Sequence, residues 1–138
     1  MDKALFYLSL ARKAGRAELG EEPVGAAARA QKARLVVVAS DASDHTWRRA
    51  KSFVAGTEQQ CVRLKVTKEE MGFVVGRQSL AIAAITDPAL ALALVKALGE
   101  PEKHKQVLEV LTAKAERARK RQSEAKAHKR NVRMGKKK

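Results

Sequence analysis

Three short apolar runs, separated by helical patterns, constrain the fold of this chain more than any other feature. They cover residues 35–39 (LVVVA), 61–66 (CVRLKV) and 80–85 (LAIAAI), and each has the length of a strand. The first and third are continuously apolar, which is typical of strands covered on both faces. The middle run alternates and places Arg63 and Lys65 on one face, which favours a more exposed strand.

Helical patterns lie between these runs. Residues 4–14 carry alanine and leucine at helical spacing, and Gly15 ends that helix. Pro23 is tolerated only in a first turn, so the next helix begins near residues 21–22. Further helix starts are indicated at residues 43–44, 67–70 and 87–88. Strands alternating with helices predict a three-layer α/β/α sandwich around a mixed sheet of about four strands, with residues 17–19 as the short fourth strand.

The positive charge is distributed unevenly along the chain. Of the net charge of +14, residues 1–98 carry +5 (15 Lys and Arg, 10 Asp and Glu) and residues 99–138 carry +9 (14 and 5). The change falls at Gly99-Glu100-Pro101, a helix stop followed by a restart. We therefore expect an α/β/α domain over residues 1–98 and a basic helical extension over residues 99–138. Polyanions are the natural partners of such an extension.

The extension has a weak apolar pattern of its own. Val107, Leu108, Leu111 and Ala115 form a narrow helical stripe that can pack on the domain. From residue 114 onwards there are 12 Lys and Arg and 2 Asp and Glu, too little apolar surface to offset the ordering entropy. The pattern predicts a helix that is docked at first and then frays into a mobile basic arm. His104 and His128, which belong to this extension, are expected to be solvated.

Composition excludes several classes of protein. No apolar run approaches the roughly 18 residues of a membrane span, and the first residues (MDKA) lack the pattern of a signal peptide. The lone Cys61 permits no internal disulfide and fits a reducing compartment, so we expect a cytoplasmic protein. We also expect a monomer that has no membrane partner. Aromatic residues at 4% disfavour broad base-stacking platforms. Phosphate-loop and metal-ligand patterns are missing from the sequence, so no cofactor or metal is expected.

The cluster SDASDH at residues 40–45 contains chemically reactive residue types. It lies where a strand becomes a helix, a place where Ser and Asp serve as helix caps. An RNA-modifying activity based on Asp41 and His45 is the less favoured alternative, and we expect no enzyme. Cys61 is expected to be a small core residue rather than a nucleophile. Trp47, beside Arg48, is expected to be partly buried on the sheet, with base stacking as the alternative.

The basic residues of the domain are better candidates for function. Loop arginines and glutamines reach both phosphates and base edges. The candidates are Arg12, Lys13 and Arg16 at the end of the first helix, Arg29 and Lys32 in the following helix, and the loop Gly76, Arg77 and Gln78 before the third run. Each could be an ordinary surface residue when taken singly. The hypothesis is that several of them converge in the fold.

The chain resembles the kink-turn-binding ribosomal-protein family of the eukaryotic and archaeal large-subunit type, and most of all its bacterial YlxQ-type members. The resemblance rests on residues 11–22 (ARKAGRAELGEE), 33–43 (ARLVVVASDAS), 66–72 (VTKEEMG), 75–77 (VGR) and 82–87 (IAAITD). It covers about residues 4–98 and is specific through the combination, order and spacing of these segments. It implies a three-layer α/β/α domain that binds structured RNA without catalysis.

In that family the RNA face consists of the helix start after a glycine and the loop before the last strand. The glycine is Gly20 here. An Asn-Glu pair that reads sheared G·A pairs falls on Glu22 and Pro23, and a lysine one turn later falls on Ala26. These three positions depart from the family pattern, although Glu22 can still accept a hydrogen bond from a guanine amino group. The Asp that follows the strand is kept as Asp41, and the loop matches at Gly76 and Arg77.

Residues and resemblance together favour a non-catalytic protein that binds structured RNA, with ribosomal RNA among the candidates. Backbone amides near Gly20 and Glu21 would approach the phosphate backbone, because a helix N-terminus attracts anions. Arg77 and Gln78 would flank the same site, and the basic extension would add sequence-independent affinity. The alternative is a protein-interaction adaptor or ribosome-assembly factor, bound to other ribosome-associated proteins, whose extension binds acidic surfaces.

Overall fold

The computed structural model of the protein describes residues 2–135, with side chains through residue 129. In this part of the chain, four strands form one sheet: β1 (Ala17–Leu19), β2 (Leu35–Val38), β3 (Gln60–Arg63) and β4 (Ile82–Ile85). The helices are α1 (Lys3–Lys13), α2 (Glu21–Arg29), α3 (Asp44–Val54), α4 (Lys68–Phe73), α5 (Pro88–Ala97) and α6 (Lys105–Gly135). The predicted mixed sheet and the C-terminal helix are confirmed.

The sheet has the order β1-β4-β2-β3. Strand β4 is antiparallel to both of its neighbours, whereas β2 and β3 are parallel. Every residue of β2 and β4 is buried, because helices cover both faces of these central strands. Helices α2 and α3 contact each other as one group, and α1, α5 and α6 form a second group in which α5 contacts both other helices.

The strands are shorter than the apolar runs that predicted them, and β2 ends at Val38, one residue before the end of its run. β3 ends at Arg63, so Lys65 lies beyond the strand, and β4 begins only at Ile82. A residue just beyond the strand is still hydrogen-bonded to the sheet, because the N–H of Leu64 donates to the carbonyl of Val38, at 2.8 Å. β3 is an edge strand, which explains the alternating pattern of its sequence.

Different segments of the chain lie at the two ends of the sheet. At one end β1, β2 and β3 finish and β4 begins; its boundary residues are Leu19, Val38, Arg63 and Ile82. We call it the Gly20 end. At the other end β1, β2 and β3 begin and β4 finishes; its boundary residues are Ala17, Leu35, Gln60 and Ile85. We call it the Arg16 end.

The C-terminal extension is more firmly attached than its composition suggests. Leu111 of α6 is fully buried, and α6 packs mainly against α5. His104, expected to be solvated, is buried, because the residues before α6 fold back against the domain and its N–H donates to the carbonyl of Glu100. His128 is exposed as predicted. The fraying of the extension into a mobile arm, and the boundary between residues 98 and 99, stay predictions.

The sequence predicts Lys32 within the second helix, and the structure differs from this prediction. α2 ends at Arg29, and Gln31 takes the left-handed conformation with a φ of 59°. The N–H of Lys32 then donates to the carbonyl of Ala27, at 2.8 Å, which closes the helix in a C-terminal turn. Lys32 therefore lies in the turn after α2. Among residues 2–135, no helix is long and apolar enough to cross a bilayer.

Candidate nucleic-acid interface

Gly20 begins α2 in a conformation that other residues rarely adopt. Its φ is 96° and its ψ is 163°, a region that favours glycine because a Cβ atom causes steric strain there. Its N–H donates to the carbonyl of Ile82, at 3.0 Å, which anchors the helix start to β4. No side chain caps this helix. The first turn of α2 therefore presents backbone amides with the positive end of the helix dipole.

The loop before β4 lies directly beside this helix start. A Cβ atom placed on Gly20 would lie 3.7 Å from Nη1 of Arg77. Arg77 itself is exposed, and so is Gln78. The helix start and the loop arginine, which the sequence separates by more than fifty residues, thus form one surface.

Short contacts within the loop fix the position of Arg77. Its N–H donates to the carbonyl of Gly72, at 2.8 Å, and Gly76 takes a φ of 75°. Val75 is buried and attaches the loop to the core. A Cβ atom on Gly72 would lie 2.8 Å from the carbonyl oxygen of Arg77 and from the nitrogen of Ser79, so only glycine permits this approach.

Asp41 connects the end of β2 to the start of α4, the helix that precedes this loop. One of its carboxylate oxygens accepts a hydrogen bond from the N–H of Lys68, at 2.8 Å, in the first turn of α4. Thr67 and Glu70 form a capping box at this helix start. The N–H of Leu80 donates to the carbonyl of Lys68, at 3.0 Å. Asp41 thereby helps to position α4 and the loop that follows it.

Two acidic residues begin α2, and they differ in their partners. Glu21 forms an ion pair with Arg49, at 2.6 Å, and the guanidinium of Arg49 also lies 4.9 Å from the ring centre of Phe53. Glu22 is exposed. The ion pair is half-exposed and contributes little to stability, but it offsets one negative charge beside the helix start. That reduces electrostatic repulsion of a phosphate approaching Gly20.

The cluster at residues 40–45 serves the fold. Ser43 caps α3 by accepting a hydrogen bond from the N–H of Thr46, at 3.1 Å, and Asp41 accepts one from Lys68. The interpretation of Ser43 as the cap of α3 is confirmed, whereas Asp41 binds a backbone N–H at the start of a different helix, α4. His45 is an exposed residue in the first turn of α3.

Trp47 and Cys61 also have structural surroundings. The indole is partly buried, with the guanidinium of Arg63 at 5.2 Å and the ammonium of Lys51 at 5.6 Å from its ring centre. Arg63 in turn donates to the carbonyl of Ala42, at 3.3 Å. Burial raises the pKa of the Cys61 thiol, which disfavours the reactive thiolate.

The remaining basic candidates lie at the other end of the sheet. Arg12 and Lys13 form the last turn of α1, and Arg16 precedes β1 and accepts a hydrogen bond at its carbonyl from the N–H of Thr86. Arg29 and Lys32 lie at the far end of α2, whose nine residues span about 13 Å. The structure therefore brings Gly20, Glu21, Glu22, Asp41, Gly76, Arg77 and Gln78 to one end, and places the other five residues at the Arg16 end.

Sequence reasoning missed Phe73. Its side chain is 82% exposed, and it ends α4 immediately before the loop that carries Arg77. The carbonyl of Phe73 accepts a hydrogen bond from the N–H of Gly76, at 3.5 Å. The run MGFVVG at residues 71–76 conceals it, because Met71 and Val75 are buried core residues while Phe73 faces solvent. A helical wheel over this segment would have set Phe73 apart.

Comparison with known proteins finds chains of similar structure. Neither a family model nor a curated protein matches the sequence. A protein with unknown function from Bacillus halodurans aligns with a TM-score of 0.67 and 23% identity, over 72% of this chain and 100% of that chain. The 15.5kD RNA binding protein of Giardia lamblia aligns with a TM-score of 0.55 and 18% identity, over 73% of this chain and 86% of that chain. At these identities the likeness concerns the fold.

Proposed function

We propose that this protein binds structured RNA through the Gly20 end and performs no catalysis. The main support for this proposal is that the uncapped start of α2 lies beside the side chain of Arg77. Backbone amides at a helix start and a guanidinium both bind phosphate oxygens, and the guanidinium also reaches guanine edges. Ribosomal RNA in the cytoplasm is the proposed partner class.

Two further observations support this proposal. A protein of the same fold, from Giardia lamblia, is described as an RNA binding protein. The two segments that bear the family resemblance around Gly20 and Arg77 meet in space, as an RNA face requires. Glu22 supplies a carboxylate that accepts hydrogen bonds from guanine amino groups, whereas Pro23 and Ala26 bring neither a side-chain donor nor a charge. Recognition of internal-loop RNA here would therefore rest on Glu22, Arg77 and the backbone.

The test is a fluorescence titration with a stem RNA interrupted by an internal loop of sheared G·A pairs. The same stem with Watson–Crick pairs is the comparison RNA. We expect the wild type to prefer the internal-loop RNA, and we expect Arg77→Ala to remove most of that preference, at about 1–3 kcal/mol. Lys96→Ala, an exposed cation on α5, is the matched control.

A second measurement separates RNA binding from the adaptor alternative. Ultraviolet crosslinking in cells should recover RNA attached near residues 20–22 and 76–79. If crosslinks lead to proteins alone and the titration shows no RNA binding, the adaptor function replaces the one proposed here.

A further inference from the structure

The Arg16 end carries six basic residues that the Gly20 site does not use. They come from the end of α1, the start of β1, the end of α2 and the residues before β2, and they share one end of the sheet. They are Arg12, Lys13, Arg16, Arg29, Lys32 and Arg34. Five of them are exposed and Arg34 is partly buried.

These six cations are available for an external partner. Within the part of the chain whose side chains are described, none of them forms an ion pair. Two carboxylates at this end already have partners: Glu58 binds the ammonium of Lys114, at 3.2 Å, and Asp87 caps α5 by accepting from the N–H of Leu90, at 2.8 Å. The positive potential of the group therefore stays largely uncompensated.

The long helix α6 reaches this end of the sheet and continues past it. Leu111 and Lys114 lie in a cleft with Gln31, Arg34 and Gln59. From Lys114 the helix continues to Gly135, roughly 30 Å further at 1.5 Å per residue. This segment adds exposed cations in the direction away from the Gly20 end: Arg117, Arg119, Lys120, Arg121, Lys126 and Lys129.

We propose that the Arg16 end and the part of α6 from Lys114 onwards form a second RNA-binding surface, which holds the phosphate backbone of a duplex adjoining the element bound at the Gly20 end. This inference rests on the proposed function and deepens it. The two surfaces lie at opposite ends of the sheet, so one RNA can contact both only when it extends well beyond the internal loop. Side-chain cations without fixed hydrogen-bond partners suit phosphates, whose recognition carries no sequence information.

The test compares two RNAs and four forms of the 138-residue chain, the wild type and three triple variants. The first RNA is a short stem with the internal loop of sheared G·A pairs. The second adds a duplex of about 16 base pairs, the span that a double-stranded RNA-binding module covers. For the wild type we expect the added duplex to raise affinity about tenfold and to steepen the dependence of log K on log salt, because more counterions are released.

The test variant is Arg12→Gln/Lys13→Gln/Arg16→Gln. We expect it to bind the short RNA as the wild type does, to lose most of the gain from the duplex, and to lower the salt slope on the long RNA by about 2, at 0.7–0.9 per phosphate contact. The control removes equal charge from α1, α5 and the turn before α6, as Lys3→Gln/Lys96→Gln/Lys103→Gln, and should keep the gain. Thermal melts verify that both variants fold.

The outcomes distinguish the two proposals. If the test and control triples bind the long RNA equally, the second surface is disproved while the Gly20 site stands. If Arg29→Gln/Lys32→Gln/Arg34→Gln also keeps the full gain, the same conclusion is reinforced. If the wild type binds neither RNA, the proposed function itself fails, and the second surface fails with it.

Discussion

The two ends of the sheet hold their basic side chains in different ways. At the Gly20 end, Arg77 is positioned by backbone contacts, because its N–H bonds to Gly72 and its loop is attached to the core through Val75. At the Arg16 end, Arg12 and Lys13 project from the last turn of a helix without an ion-pair partner in the described part of the chain. A cation on a positioned loop beside an uncapped helix start can contribute to a defined binding geometry, whereas exposed cations at the end of a helix contribute mainly charge.

The largest effect should come from the contact that fixes the loop at the Gly20 end. Gly72→Ala places a Cβ atom 2.8 Å from the backbone of Arg77 and Ser79, so α4 and the loop must separate. We expect a loss of about 2–3 kcal/mol in the free energy of unfolding, measured by urea titration. We also expect the preference for the internal-loop RNA to disappear.

The control for that variant is Gly99→Ala. Gly99 has a φ of 71° with no atom within 4 Å of a Cβ, so it tests backbone strain alone, which costs about 1–2 kcal/mol. It should leave RNA preference unchanged. Equal RNA preference in the Gly72→Ala variant and the wild type would show that the loop is not held as the structure indicates.

Shortening α6 should lower the affinity for RNA without changing its selectivity, in contrast to Gly72→Ala. Removal of residues 123–138 keeps the part of α6 that packs near α5, up to Gln122, and deletes seven Lys and Arg. We expect affinity for the long RNA to fall about tenfold at low salt, with a flatter salt dependence and an unchanged preference between the two stem RNAs. Filter binding at several salt concentrations measures both, and a selective loss of the internal-loop RNA would contradict the division of roles.

The exposed ring of Phe73 should contribute to the affinity of the Gly20 end for the internal-loop RNA. Phe73→Ala should weaken binding of the internal-loop RNA about tenfold, because an exposed aromatic ring just before the loop of Arg77 can stack on an unpaired base. Stability should not change, since the ring is 82% exposed. Phe6→Ala on α1, where the ring is 51% exposed, is the matched control. Equal affinities of the two variants would exclude a role of Phe73 in binding.

The smallest effect concerns Cys61, the partly buried second residue of β3. Its thiol pKa is raised by burial, so the folded state disfavours the thiolate. The corresponding stability is present below the ordinary thiol pKa and is lost as the pH rises through the folded pKa. We expect slow alkylation of the native protein at pH 8, fast alkylation in urea, and a slight stability loss above pH 9 that Cys61→Ala removes. Alkylation of the native thiol at the rate seen in urea would contradict burial.

Much of the fold could be read from the sequence because local signals agreed with it. Residues 35–39 are apolar without interruption, as a strand covered on both faces must be, and Thr67 with Glu70 formed the expected capping box. The errors lie where tertiary packing overrides a local signal. His104 is buried within a charged segment because the residues before α6 return to the domain, and Lys32 is outside α2 because Gln31 turns the chain first.

The candidate site was predictable in its residues and not in its arrangement. Gly20 and Arg77 were both expected near RNA, and their proximity was a hypothesis that only the sheet order could decide. Arg16 precedes Gly20 by four residues in the chain, yet β1 separates them by about 10 Å and places them at opposite ends of the sheet. Phe73 was missed because it lies within an apolar run.

The sequence by itself determined the strands, most helix starts and the amount of charge, because these depend on side-chain chemistry within one or two turns of chain. The tertiary structure decided which charges lie together. Strand β4 inserts between β1 and β2, and this pairing brings the start of α2 to the loop of Arg77 while it leaves Arg12, Lys13 and Arg16 at the opposite end of the sheet. Charges separated in sequence become one surface only through contacts between distant strands, and those contacts have no local signature.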